Sequence, residues 1–171
     1  FPTHRLVRDL PNFDKEAVLE KCSEFFYIDE KEGTDTMEED LKKLYDEGKK
    51  AFGFYCGKGE WFLLTLKNID IMSQMLPNVS KASQSLDVSV LHTLILEKIF
   101  GIDKENMAKQ INLTYTKFFT EAIDGVDKGE FQCSFVLNPT RVTEIRDVAA
   151  AGEKMPQKST YFYPKMITGM V

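Results

Sequence analysis

The residues best suited to chemistry are densest near the C-terminus, where Lys158, Ser159 and Thr160 stand between two prolines. Pro156 and Pro164 fix φ and lack backbone donors, which favours an extended, stiffened segment between them. An ammonium and two hydroxyls on such a segment could bind a carboxylate or a phosphate with little ordering entropy left to lose. The alternative is that the two hydroxyls satisfy backbone groups of a loop.

This segment does not match a phosphate-binding P-loop. The glycine at Gly152 is at the wrong distance, a second glycine is missing, and no helix is predicted after Thr160. The prediction is therefore a binding segment that uses side-chain donors.

Two histidines and one arginine are further candidates. Arg5 offers a bidentate fork for a carboxylate or phosphate, and the neighbouring His4 titrates near neutral pH. An ordinary surface pair is the alternative for both. His92 lies one position off the apolar stripe of a predicted helix, so a partly buried, hydrogen-bonded histidine is favoured over a catalytic base.

The three cysteines, Cys22, Cys56 and Cys133, are widely spaced and lie among apolar residues. This pattern predicts buried, reduced thiols. With only two histidines and no CxxC or HxxxH spacing, no metal site is predicted.

Hydrophobic periodicity and turn residues predict an α+β fold, with helices packed on one side of a mostly antiparallel sheet. A Gly-Lys-Gly turn at 57–59 joins two β-rich runs into a hairpin. The clearest helix begins at Ser85 or Asp87 and ends at Gly101. Another helix ends at Gly152, immediately before the candidate binding segment.

A single domain is expected over residues 1–171, and the polar stretch 77–85 is where it could subdivide. The sequence also predicts a charged loop at 30–35, a turn at 125–129 and a last strand at 166–168.

The net charge of −5 disfavours nucleic acid as a partner. The longest apolar runs are too short to span a bilayer, and the N-terminus does not resemble a signal peptide, so a cytoplasmic location without a membrane partner is expected. Because the chain begins at Phe1 without a methionine, its true N-terminus is expected to lie upstream.

Four stretches carry a resemblance to a known family: Pro2–Arg5, Leu86–His92, Asn138–Thr140 and Met155–Lys165. In these the chain resembles the C-terminal portion of the bacterial and archaeal family called domain of unknown function 1015. Full-length relatives carry an upstream Asp-Gly-His-His-Arg motif, similar to one in ParB-type partition proteins and related serine kinases. The chain lacks that motif, so the resemblance implies a C-terminal half without the part that binds nucleotide.

The leading hypothesis is a fragment of a cytoplasmic protein that binds a small anionic metabolite and takes part in phosphoryl transfer. Nucleotide would be a cofactor only together with the missing N-terminal half. The alternative is a non-enzymatic regulatory, partition-like or oligomerisation module, with a homo-oligomer as its expected state. The candidate binding residues are Arg5, Lys158, Ser159 and Thr160, with His4, His92 and Lys165 as additions; the last is included because it falls on a family motif.

Overall fold

The computed structural model describes residues 2–156, which form a six-stranded sheet with helices on it. The α+β class with an antiparallel sheet is confirmed. The strands are β1 (His4–Val7), β2 (Phe26–Glu32), β3 (Ala51–Tyr55), β4 (Glu60–Leu66), β5 (Leu113–Thr116) and β6 (Cys133–Val136). The helices are α1 (Lys15–Cys22), α2 (Met37–Asp46), α3 (Ile71–Met75), α4 (Lys81–Gln84), α5 (Asp87–Val90), a π-helix (Leu91–Glu97), α6 (Lys104–Lys109), α7 (Phe119–Asp127) and α8 (Val142–Ala150).

The strand order is β2-β4-β3-β6-β1-β5, and every pairing is antiparallel. The predicted hairpin forms β3 and β4, where the turn residue Lys58 has a φ of 60°. β1 is an inner strand that pairs with β5 on one side and β6 on the other. The N-terminal segment is therefore paired on both sides although it is short.

The sheet has a hydrophobic core on each face. Side chains alternate along a strand, so Arg5 and Val7 point to one face and His4 and Leu6 to the other. We call these the Arg5 face and the His4 face. The Arg5 face is covered by α1, α3, α5, the π-helix, α6 and α8, and the His4 face by α2 and α7. The prediction of helices on one side only is therefore wrong, because both sets of alternating positions are apolar and each needs a cover.

Two local predictions are also wrong. β2 continues to Glu32 through part of the expected 30–35 loop, because backbone pairing with β4 holds its charged, exposed residues in a strand. α7 runs through Gly125 to Asp127, where a turn was expected. A Cβ at Gly125 would lie 2.8 Å from the Phe131 ring, so the glycine permits close packing inside a helix.

No helix within residues 2–156 is long and apolar enough to cross a membrane.

Candidate functional site

The predicted helix from Ser85 to Gly101 is split into α5 and the π-helix. Leu86 is the cap residue, and Asp87 is the first helical residue rather than the cap. In the wider turns the Lys98 N–H bonds to the Thr93 carbonyl at 3.3 Å. π-helical turns are rare in proteins, but those that occur are often found at functional sites. The extra residue in the turn changes the direction of the side chains around it. This segment carries His92.

Arg5 projects from β1 against that helix and is fully buried. Its guanidinium donates to the Thr3 carbonyl, lies 2.9 Å from His92 Nε2, and stands 5.1 Å from the centre of the Tyr115 ring. The cation is thus held by a carbonyl, an imidazole and an aromatic face. Two residues that were independent candidates in the sequence, 87 positions apart, are in direct contact.

Burial is the main influence on the protonation of both groups. Burial, and then the adjacent Arg5, hold the pKa of His92 well below 6.5. Burial lowers the pKa of Arg5 to about 10, which leaves it charged at neutral pH, and Tyr115 opposes that shift. An arginine can only donate, so Nε2 of His92 accepts and the single proton of the neutral ring is on Nδ1.

A cavity of about 350 Å³ opens beside His92, and we call it the His92 cavity. It lies between the α3–α4 connection, the π-helix, α6 and the segment that follows α8. Its polar lining comprises Ser83, Ser89, His92, Thr93, Glu97, Lys104, Glu153 and Lys154, and its apolar lining comprises Leu76, Val79, Met107 and Pro156.

Glu153 fixes the rim of this cavity. Its carboxylate accepts hydrogen bonds from the backbone and hydroxyl of Ser80 and from the hydroxyl of Ser83, at 2.5–3.0 Å. The Ser80 and Ser83 hydroxyls are the main reason that the pKa of Glu153 is lowered. The segment after α8 is therefore fastened to α4 by hydrogen bonds.

Asp87 is a third buried ionisable group on this face. Burial raises its pKa to about 6, against the opposing effect of Lys50, whose Nζ lies 4.0 Å from Oδ1. That oxygen has no hydrogen-bond partner among the described residues.

His4 lies on the other face, away from Arg5 and His92. Its Nδ1 accepts from the Leu137 N–H at 3.2 Å, and its ring meets Phe119 edge-on at 6.3 Å. Burial and then Arg5 lower the pKa of His4 to about 4. The adjacent candidates therefore do not act as a pair, because neighbouring residues of a strand point in opposite directions.

The four remaining candidates, Lys158, Ser159, Thr160 and Lys165, lie outside the described residues, as does the predicted strand at 166–168. Pro156, the last described residue, lines the His92 cavity.

Sequence reasoning missed the polar residues that share the cavity with His92. Ser89 and Thr93 stand three positions before and one after it, and both are buried. A usable signal was present, because polar residues interrupt an otherwise apolar helix there. Lys104 lines the cavity only because of how α6 packs, and the sequence offers no signal for that packing.

Within residues 2–156, no group of three or more His, Cys, Asp and Glu residues is placed to hold a metal ion.

A profile of the family described as "Protein of unknown function (DUF1015)" matches residues 1–89. No curated protein matches the chain. A solved conserved hypothetical protein from Pyrococcus furiosus is 18% identical, with a TM-score of 0.49, over 94% of this chain and 54% of that one. A free serine kinase in complex with AMP is 16% identical, with a TM-score of 0.50, over 94% of this chain and 52% of that one. The chain thus spans about half the length of these structures, and likeness at this identity is one of fold alone.

Proposed function

The chain belongs to DUF1015, a family of proteins of unknown function, and on that premise we propose that it is part of a longer cytoplasmic protein. In this proposal the protein binds a small anionic metabolite in the His92 cavity and takes part in phosphoryl transfer.

The observation that carries this proposal is the contact between Arg5 and His92 at the wall of the cavity. The guanidinium is fully buried, so in this proposal it acts through His92 and does not touch the ligand. Burial and then this guanidinium keep the imidazole neutral, with the proton on Nδ1 available as a donor. The buried positive charge behind the ring also favours a negative ligand over a positive one.

The rest of the lining suits an anion. Ser89 and Thr93 supply hydroxyls, and Lys104 and Lys154 supply ammonium groups that form charge-assisted hydrogen bonds with phosphate or carboxylate oxygens. Glu97 and Glu153 are the acidic groups of the lining that oppose them. Burial raises the pKa of Glu97, against the opposing effect of Lys104.

The C-terminal candidates remain part of the proposal. Lys158, Ser159 and Thr160 follow the cavity-lining Pro156 closely in the sequence. We propose that they add donors to the same anion, with Lys165 as a further cation. His4 is left out, because it packs on the opposite face.

The phosphoryl-transfer part is supported by the similarity in fold to a free serine kinase that was solved in complex with AMP. Oriented donors and cations are what phosphoryl transfer needs from a protein, since the reaction is promoted by positioning and charge stabilisation. Because the chain spans about half of that kinase, we propose that a nucleotide is held by another part of the longer protein.

Isothermal titration tests the proposal, with inorganic phosphate, AMP and ADP as probes of the full-length protein and of this chain. At least one probe should bind saturably. Lys104→Ala and His92→Gln should weaken binding about 10-fold each, which is the worth of one charge-assisted hydrogen bond. Lys109→Ala, on the same helix but paired with Glu105 outside the cavity, is the matched control and should bind like wild type.

Lys158→Ala should weaken binding similarly. If no probe binds, or if Lys104→Ala and Lys158→Ala bind as tightly as Lys109→Ala, the proposal is wrong.

A further inference from the structure

The register between β3 and β6 brings two cysteines opposite each other. Phe54 lies opposite Phe135, and their stacked rings have centroids 4.9 Å apart. Continued by two residues, the same register places Cys56, one residue beyond the end of β3, opposite Cys133, the first residue of β6. The sequence separates these two cysteines widely, so only strand pairing could bring them together.

Both thiols point to the Arg5 face. Residues two apart on a strand point to the same face. Cys56 therefore shares the face of Phe54, Cys133 shares the face of Phe135, and all four lie in the same core. Directly opposed residues of an antiparallel pair have a Cα separation within the roughly 4.4–6.8 Å typical of disulfides. Their Cβ atoms are about 4.5–5.5 Å apart, against about 3.5–4.5 Å in disulfides, so the bond requires the two side chains to move slightly closer.

The electrostatics of the thiols agree with this placement. Burial is the main reason that the pKa of Cys133 is raised, and Cys56 and then Cys22 add to the shift. Cys22 on α1 is therefore a third thiol in the same region. Cys56 is half-buried, whereas the other two are fully buried.

We propose that Cys56 and Cys133 form a cross-strand disulfide when the protein meets a small-molecule disulfide oxidant. The Cys56 thiolate attacks one sulfur of the oxidant, forms a mixed disulfide and releases a first thiol. The Cys133 thiolate then attacks the Cys56 sulfur and releases the second thiol. The protein gives up two electrons and two protons, and the oxidant is reduced to two thiols.

The environment sets the rate and the consequence of this reaction. Burial raises the pKa of Cys56 to about 12, with Lys15 opposing, so the thiolate is scarce and exchange is slow at neutral pH. The bond would close a loop of roughly 80 residues and thereby restrict the unfolded chain. It would also join β3 to β6, the strand that pairs with the Arg5-bearing β1.

Oxidised glutathione is the probe, applied to the folded full chain, with peptide mapping by mass spectrometry under non-reducing conditions. A peptide linking Cys56 to Cys133 is expected in wild type and in Cys22→Ser, and not in Cys56→Ser. Its rate of formation should rise about tenfold per pH unit between pH 7.5 and 9.5. The thermal midpoint should rise by about 5–10 °C and return on reduction.

Two outcomes overturn the proposal. One is a linkage that contains Cys22. The other is the recovery of three free thiols from the folded chain at pH 9.5, under conditions where the urea-unfolded chain is oxidised. Because the wild-type map is decisive alone, the proposal does not depend on whether a serine variant folds.

Discussion

Each face of the sheet buries one histidine, and the two histidines are held differently. On the His4 face, His4 is held by the Leu137 N–H and packs against Phe119. On the Arg5 face, His92 contacts a buried guanidinium and lines a cavity. The first ring packs as a core residue, with Nδ1 bonded and Nε2 without a hydrogen-bond partner among the described residues, whereas the second lies beside a space that a ligand could fill.

The Arg5 face also concentrates buried polar groups. Burying such groups is costly unless they are paired, and clusters of perturbed ionisable residues are enriched at functional sites. The contrast teaches that burial alone does not distinguish a site from a core, whereas several buried ionisable groups around a cavity are the arrangement that is enriched at functional sites. Within the α4 to π-helix segment, the buried polar residues are Ser83, Gln84, Asp87, Ser89, His92 and Thr93.

The largest expected effect comes from removing the buried cation. Arg5→Met should lower the free energy of unfolding by about 3 kcal/mol, because His92 Nε2 and the Thr3 carbonyl lose their donor. Urea unfolding at pH 7 measures it. Arg8→Met is the matched control, because Arg8 bonds to carbonyls from a partly exposed position, and it should cost under about 1 kcal/mol. Equal losses in the two variants would remove the distinction between Arg5 and a surface arginine.

An effect of about 2 kcal/mol, in the stabilising direction, is expected for Asp87→Asn at pH 8. The folded pKa of Asp87 is raised to about 6, so its contribution to stability is full below the unfolded value near 3.9 and is lost as pH rises through 6. Asparagine does not ionise, so the variant does not lose this stability as pH rises. Urea unfolding should therefore show the largest stabilisation of the variant over wild type at pH 8, a smaller one at pH 4.5, and none only below about pH 3.9.

Asp35→Asn, at an exposed position, is the control and should change stability at neither pH. A destabilised Asp87→Asn at pH 8 would mean that Lys50 stabilises the carboxylate more than burial opposes it.

The smallest effect compares the two histidines directly. Both folded pKa values lie below 6.5, so each histidine contributes stability that is present above pH 6.5 and is lost as pH falls. Replacing either one should flatten the fall of stability between pH 6 and 5 by about 1.4 kcal/mol per pH unit. His92→Gln keeps an acceptor for Arg5, and His4→Asn keeps one for Leu137.

Urea unfolding at pH 7, 6 and 5 gives the slopes, and Lys128→Gln at an exposed position should retain the wild-type slope. Titration with phosphate or AMP then distinguishes the faces, because only His92→Gln should weaken binding. If His4→Asn weakened binding instead, the site would lie on the His4 face and the proposed His92 site would be contradicted.

The π-helix marks the limit of what the sequence could reveal. The apolar spacing of Leu91, Leu94 and Ile95 correctly indicated a buried helix. A pattern that fits an α-helix does not disclose the extra residue of a π-turn, because that depends on what the helix packs against. The burial of His92 was accordingly predicted in part, whereas the orientation of its ring was not predicted.

By itself the sequence determined the α+β class, the hairpin, most helices and the family, because periodicity, turn residues and motifs are local. Only the tertiary structure decided that His4 and Arg5 part to opposite faces, and that Arg5 meets His92 across 87 residues. It also decided the register between β3 and β6, from which we infer that Cys56 faces Cys133. The reason is the same in all three cases: strand pairing and helix packing fix which distant side chains meet, and no local pattern records it.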